Sequence, residues 1–271
     1  MNNVTIHPCC LTIAGSDSGG NAGVQADLRA FHSYGLHGCT VFAALTAQNP
    51  FGVYALYDVP PAFIAAQLDA VLGVYAIASL KTGMLSNPRA IETVAGRLSS
   101  HPEIKKVVDP VMVATSGAKL ISDDAISVLR EKLLPLATLV TPNIPEALVL
   151  SPCAKEFEKL SGEALSNALA KSIHDEYGVA VLVKGGHGEG DNSVDVLCDE
   201  NGALHSFAMP RIKEPVSTHG TGCSLAAALA AELALGRPLP AAVAGAKEYV
   251  HRAIADSYHV GENCGVLGFV K

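Results

Sequence analysis

The sequence has no run of lysine or arginine. Its 19 basic residues are scattered among 26 acidic ones, leaving a net charge of −7. A polyanion needs a concentrated basic face, so a nucleic-acid partner is not expected. Nor is any stretch long and apolar enough to span a bilayer. The most apolar segments, Gly222–Gly236 and Leu36–Leu56, carry Glu232 in the first and Gln48, Asn49, Pro50 and Gly52 in the second. Met1–Pro8 lacks a basic region followed by an apolar core, so no secretory leader is expected. The seven cysteines (Cys9, Cys10, Cys39, Cys153, Cys198, Cys223 and Cys264) are odd in number, form no CxxC pair and show no zinc-type spacing with histidine. That usage matches a reducing compartment, where most cysteines serve as small buried hydrophobes. A cytoplasmic protein follows as the expectation. Two common phosphate-binding signatures, GxxxxGK[ST] and GxGxxG, are also missing.

What is present is apolar material: 49% of 271 residues are hydrophobic and 17% charged, enough for one large core. Apolar runs of strand length alternate with helical patterns along most of the chain. Strands are expected at Cys10–Gly15, Cys39–Leu45, Ala76–Leu80, Lys106–Asp109, Thr138–Thr141 and Ala180–Lys184, and helices at Ala22–Tyr34, Pro61–Leu72, Pro88–Leu98, Asp123–Leu134 and Glu163–Tyr177. A hairpin, Val194–Cys198 and Ala203–Met209 around Asp199-Glu200-Asn201-Gly202, precedes two final helices at Ser224–Leu235 and Pro240–Tyr258. Such alternation implies an α/β fold with a mainly parallel sheet covered by helices on both faces. No linker or repeat divides it, so residues 1–271 read as one domain.

In sheets of this kind ligands bind outside the carboxyl ends of the strands. The segments found there are Gly15-Ser16-Asp17-Ser18-Gly19-Gly20, Thr46-Ala47-Gln48-Asn49, Lys81-Thr82-Gly83-Met84, Asp109-Pro110-Val111-Met112, Thr141-Pro142-Asn143-Ile144-Pro145-Glu146 and Lys184-Gly185-Gly186-His187. The most specific feature is His219-Gly220-Thr221-Gly222-Cys223-Ser224, which runs straight into an alanine-rich helix. Two glycines let backbone N–H groups converge, and the helix dipole adds positive charge, making an anion hole with a thiol beside it. The bland alternative is an ordinary glycine turn with a buried cysteine. A helix N-terminus would be expected to lower the thiol pKa.

Asn143 and Glu146, three apart on a first helical turn, can join Asp109 around a Mg²⁺ ion or simply form a capping box. These two readings are even. Lys184 before two glycines can bridge phosphates, though a lysine ending a strand is more often just solvated. Gln48 offers the donor and acceptor that an aminopyrimidine edge requires, and a loop glutamine is likewise more often solvated.

Taken together these segments resemble hydroxymethylpyrimidine/phosphomethylpyrimidine kinases, a branch of the ribokinase-like superfamily in thiamine biosynthesis. The resemblance runs from Leu11 to about Tyr258. It rests on Ala14–Gly20, Gly23-Val24-Gln25-Ala26-Asp27-Leu28, Ala44–Asn49, Lys81-Thr82-Gly83-Met84-Leu85, Thr141–Ala147, Lys184–His187 and Thr218–Cys223 in that order. It implies a ribokinase-like three-layer sandwich and ATP-dependent phosphorylation of 4-amino-5-hydroxymethyl-2-methylpyrimidine and then of its monophosphate. ATP and Mg²⁺ would be the cofactors and a homodimer the assembly.

By the same resemblance Cys223, Gly220, Thr221 and Gly222 form the catalytic turn, with Cys223 where most ribokinase-like enzymes carry an aspartate base. Gly15, Ala22, Asp27, Gln48, Met84 and Val111 would hold the pyrimidine. Asn143, Glu146, Lys184 and Thr218 would hold nucleotide phosphates, and Asp109 with Glu146 the metal. Asn21 departs from a position usually glycine. The rivals are a pyridoxine or pyridoxal kinase of the same cysteine-bearing branch, a serine hydrolase using Ser224, and a non-catalytic ligand sensor. For the hydrolase, the motif lacks its final glycine and shows no placed Asp and His partners.

Overall fold

The computed structural model describes residues 7–112, 121–186 and 190–268. Nine strands form one sheet in the order β3-β2-β1-β4-β5-β6-β7-β8-β9. These are β1 (Cys9–Asp17), β2 (His37–Asn49), β3 (Gly52–Asp58), β4 (Ile77–Thr82), β5 (Lys105–Val108), β6 (Leu139–Val140), β7 (Ala180–Val183), β8 (Asn192–Cys198) and β9 (Leu204–Pro210). The run β2-β1-β4-β5-β6-β7 is parallel, while β3, β8 and β9 pair antiparallel at the edges.

The central strands carry apolar side chains to both faces, as buried parallel strands must. Leu11 and Ile13 of β1 point into one core and Cys10 into the other. On the first face lie α2 (Pro61–Leu72), α3 (Pro88–Leu98), α4 (Asp123–Val128), α5 (Ile144–Leu150) and α6 (Gly162–Tyr177), packed through Ile64, Leu68, Ile91, Val94, Leu169 and Ile173. The second face is covered by α1 (Gly23–Ser33), α7 (Thr221–Ala234) and α8 (Leu239–Ala255). Every residue of α7 from Ser224 to Glu232 is buried, which its string of alanines allows by letting the helix lie close against the sheet. No helix among the described residues is long and apolar enough to cross a membrane.

Four elements differ from the sequence reading. β3 is an edge strand whose exposed side chains show no apolar-in, polar-out alternation, so periodicity does not reveal it. The helix expected over Asp123–Leu134 is α-helical only to Val128. It continues as a π turn (Leu129–Leu133) and a 3-10 turn (Leu134–Leu136), the latter containing Pro135, which cannot extend an α-helix. α7 starts three residues earlier than expected, at Thr221, which places Cys223 inside its first turn. α8 ends at Ala255, and Tyr258 instead begins a small hairpin of β10 (Tyr258–Gly261) and β11 (Cys264–Val266).

The chain progresses outward from β1 to β2 and β3 on one side, then returns to place β4 on the other side of β1. That reversal opens a crevice at the carboxyl ends of β1 and β4.

Candidate active site

The crevice is a cavity of about 560 Å³. Its lining includes Ala14, Gly15, Gln48, Met84 and Val111 and the apolar residues Met209, Ile212, Val250 and Ile254. Asp109, Asn143, Glu146 and Lys184 also line it, as do Thr218, Gly220, Thr221, Gly222 and Cys223, and a Cβ on Gly222 would lie 3.7 Å from the Lys184 ammonium. Segments far apart in sequence therefore meet at one rim.

The first loop is folded around Asp17. Its Oδ1 accepts the Gly19 N–H at 2.8 Å, and its Oδ2 accepts those of Asn21 and Ala22, each at 2.9 Å. Burial pushes this carboxyl up, but the His219 imidazole, whose Nε2 lies 3.8 Å from Oδ2, and the three backbone N–H groups win and hold it below the usual aspartate value. The loop is tied to β2 by reciprocal bonds between Ser18 and Gln48: the Ser18 hydroxyl donates to the Gln48 carbonyl and accepts its N–H, both at 2.8 Å. Asn21 needs no glycine conformation, since Glu214 is the single non-glycine residue with positive φ among those described. A Cβ on Gly15 would lie 2.6 Å from the Met84 methyl, so a larger residue there would have to push the end of that side chain aside.

The second wall is the turn into α7. Gly220 caps the helix in the left-handed region, φ 90°, and its carbonyl accepts the first helical bond from Ser224 N–H at 2.9 Å. Amides ahead of that bond have no helical carbonyl to meet, and this turn lines the cavity. A Cβ on Gly220 would sit 1.9 Å from the Asn21 carbonyl oxygen, so the two walls touch backbone to backbone here.

Cys223 is half-buried, and burial pushes its thiol above the ordinary value. The Lys81 ammonium and the Gly23 N–H oppose this without prevailing, with Asp27 and Asp109 acting against them. The expected lowering by the helix N-terminus is thus overridden, because desolvation of a thiolate outweighs the dipole. At neutral pH this residue is a thiol.

Opposite the turn, the capping reading of Asn143 and Glu146 is realised. Asn143 caps α5: its Oδ1 accepts the Glu146 N–H and Glu146 Oε2 accepts the Asn143 N–H, each at 2.9 Å, a complete capping box. Both residues nonetheless line the cavity, as do Lys184 and Asp109. Lys184 is not merely solvated. Its Nζ lies 2.8 Å from Asp109 Oδ1, which also accepts the Thr141 hydroxyl at 3.1 Å. Burial would discharge this ammonium, but Asp109 and Glu146 outweigh it and keep its pKa above the lysine value. Glu146 moves up instead: burial and Asp109 raise it against the pull of Lys184.

Asp27 is the expected site residue that the structure does not bring to the cavity wall. It is fully buried one layer beneath, accepting the Thr12 hydroxyl at 2.6 Å and the Lys81 ammonium at 2.9 and 3.0 Å. The residue it supports, Lys81, does line the cavity. Burial alone would discharge Lys81, but the Asp27 carboxylate holds it charged, above its ordinary range. Lys81, Asp17, His219, Asp195 and Lys247 all line the cavity and were absent from the expected set. The signal for Lys81, Asp17 and His219 was their membership of the quoted motifs; nothing local marked Asp195 or Lys247. His187 lies outside the described residues.

The family profile described as Phosphomethylpyrimidine kinase matches residues 17–268. The chain is 46% identical over 260 residues to the thiamine biosynthesis bifunctional protein ThiED of Geobacter sulfurreducens, covering 96% of this chain and 52%, about half, of that longer protein. It is 43% identical to the hydroxymethylpyrimidine/phosphomethylpyrimidine kinase of Haemophilus influenzae, with 94% of each chain covered. Among solved structures, an ADP complex of Bacillus subtilis pyridoxal kinase superposes with a TM-score of 0.85 at 32% identity, covering 98% of both chains. The three-layer architecture is that of the ribokinase-like kinases.

Proposed function

This chain belongs to the phosphomethylpyrimidine kinase family, and on that premise we propose that residues 1–271 form one kinase domain acting on a hydroxymethylpyrimidine. It transfers the γ-phosphoryl group of ATP to the hydroxymethyl oxygen of 4-amino-5-hydroxymethyl-2-methylpyrimidine and then to the resulting monophosphate. The carrying observation is the meeting of the Gly220–Cys223 turn and the Lys184–Asp109 pair across one cavity.

Each part of the chain has a task in such a transfer. The transition state of phosphoryl transfer is loose, so positioning and charge neutralisation supply most of the catalysis. Gln48, Gly15, Ala22, Met84 and Val111 hold and read the ring; Gln48 is half-buried, its side-chain oxygen 3.2 Å from the Thr46 hydroxyl, which donates at 2.8 Å to the Ser16 carbonyl. The amides of Gly220, Thr221 and Gly222 receive the migrating phosphoryl oxygens. Lys184, kept cationic, neutralises charge from the other side, with Asn143 and Thr218 along the nucleotide phosphates. Cys223, a thiol at neutral pH, orients the acceptor hydroxyl rather than removing its proton. The apolar end at Met209, Ile212, Val250 and Ile254 fits a flat nucleobase.

Mg²⁺ prefers one or two carboxylates, with phosphate oxygens and waters completing its shell. Asp109 and Glu146 supply that donor set, and no group of three metal-type side chains occurs among the described residues, so the fit is to an ion shared with phosphate. When bound, the ion would supply charge neutralisation at the β- and γ-phosphates.

Pyridoxal kinase is the second reading, supported by the 32% structural neighbour. The pyrimidine kinase relative, at 43% identity, supports the first reading more strongly. Measured kcat/KM for the pyrimidine alcohol, its phosphate, pyridoxine and pyridoxal under ATP and Mg²⁺ decides between them. A higher value for either vitamin-B6 ring would overturn the assignment, and failure to convert the monophosphate would confine the enzyme to the first step.

The seven free cysteines support a cytoplasmic location. A homodimer is supported by the edge hairpin of β2 and β3 with α2, where Phe51, Tyr54, Leu56, Tyr57 and Phe63 are 42–68% exposed in one region. Light scattering on Tyr57→Glu tests it; a wild-type monomer refutes it.

A further inference from the structure

Helix α8 and strand β8 contribute a buried ion pair to the cavity wall that neither the sequence motifs nor the catalytic scheme employs. Asp195 and Lys247 are 5% and 7% exposed, and Lys247 Nζ lies 2.6 Å from Asp195 Oδ2. The other oxygen, Oδ1, accepts the Gly185 N–H at 2.9 Å. Gly185 directly follows the phosphate lysine, Lys184. Each carboxylate oxygen thus has its own task, one on a lysine and one on a backbone amide.

The surroundings of Gly185 show how tightly this junction is held. A Cβ there would fall 1.8 Å from the Val194 carbonyl oxygen, so the chain passes β8 backbone against backbone. On its other side Lys184 N–H donates to the Pro142 carbonyl at 2.9 Å. The Lys184 ammonium then reaches Asp109, and a Cβ on Gly222 would lie 3.7 Å from it. An unbroken series of contacts runs from Lys247 through Asp195 and Gly185 to the ammonium beside the anion turn.

We infer that Asp195 and Lys247 are positioning residues for the nucleotide side of the reaction: Asp195 clamps the Lys184–Gly185 junction, and Lys247 keeps the clamp aimed. The inference rests on the kinase reading above. A carboxylate with no cation beside it at this depth is costly, and it relieves itself by turning to water. That change loosens the Gly185 amide and, with it, the lysine that faces the phosphates. The pyrimidine end, held by other elements, is unaffected.

Lys247→Met is expected to raise the KM for ATP about tenfold, leave the KM for the pyrimidine alcohol within about twofold, and speed hydrogen exchange at the Gly185 amide. Lys247→Arg retains the cation and stays near wild type. The discriminating variant is the double change Asp195→Asn with Lys247→Met. Asparagine still offers a carbonyl oxygen to Gly185, and its amide group no longer meets an ammonium, so ATP KM returns to within about threefold of wild type. Asp195→Asn alone, with its amide facing Lys247, does not recover. An unchanged ATP KM in Lys247→Met with only a lower Tm would make the pair a simple strut and overturn the inference. Failure of the double variant to recover while Gly185 stays protected would overturn it too, because Lys247 would then be touching the nucleotide itself. If wild type consumes no ATP with the pyrimidine alcohol, the kinase reading fails instead, and calorimetric ADP affinity of the same variants still tests the pair.

Discussion

Replacing Gly220 by alanine perturbs the point where the two halves of the cavity meet. The residue sits at φ 90°, and its added methyl would lie 1.9 Å from the Asn21 carbonyl oxygen and 3.0 Å from its carbon. Left-handed backbone costs a non-glycine residue about 1–2 kcal/mol. The overlap is worse, because both atoms belong to backbone and no rotamer relieves it. Moving the contact from 1.9 Å to the 3.0 Å that real Cβ atoms observe requires a shift of about 1.1 Å between the α7 turn and the first loop. Since a displacement of about 1 Å at a catalytic group costs on the order of 10²-fold, kcat should fall by about that factor or more. The fold should survive: α7 is buried from Ser224 to Glu232, and a loss of about 2–3 kcal/mol lowers Tm by roughly 5–10 °C in a chain of this size. A coupled assay of ADP release, run beside a thermal melt, measures both. Gly222→Ala is the control, because its Cβ meets nothing nearer than the Lys184 ammonium at 3.7 Å and its backbone is helical; its Tm should not fall. A Gly220→Ala enzyme with wild-type kcat would refute the claim that this turn must touch the first loop to work.

Cys223→Ala should lower kcat by about 10²-fold, the cost of misplacing the acceptor hydroxyl, while Tm holds, and near-normal turnover would remove the thiol from the mechanism. Because burial raises that thiol's pKa, iodoacetamide labelling of Cys223 at pH 7 should be slower than for an ordinary exposed cysteine, quickening only as pH climbs above the usual thiol range. Lys81→Met leaves the Asp27 carboxyl without its cation at zero exposure, and should cost about 3–5 kcal/mol in denaturant unfolding. Adding Asp27→Leu should recover most of that loss, and a mild single variant would show that the pair carries little. Asp17 has a folded pKa held below its unfolded value, so its stabilisation is present above about pH 4 and disappears as acid protonates it. Asp17→Asn should therefore lower Tm at pH 7, with the gap to wild type shrinking below pH 4; a gap that persists in acid would contradict that origin.

Much of the site was legible because its makers are local. The Asn143–Glu146 capping box closes within four residues, the Gly220 turn announces its helix, and apolar runs of four buried residues such as Ala180–Val183 mark central strands. Asp27, expected at the ring, lies at zero exposure beneath the wall, a depth that sequence does not give because it places a residue on a helix only. The Cys223 thiol was misjudged for a related reason: its helix position is local, whereas desolvation depends on everything packed around it.

By itself the order of residues determined the alternation of strands and helices, the glycines that let backbone approach backbone, and the caps that start α5 and α7, since short-range sterics and hydrogen bonding decide all of these. Only the tertiary structure decided the charge pairing. Lys184 finds Asp109 across 75 positions, Lys81 finds Asp27 across 54 and Lys247 finds Asp195 across 52. Which ammonium pairs with which carboxylate is set by how the layers pack, because a buried charge is tolerated only where the fold brings its partner.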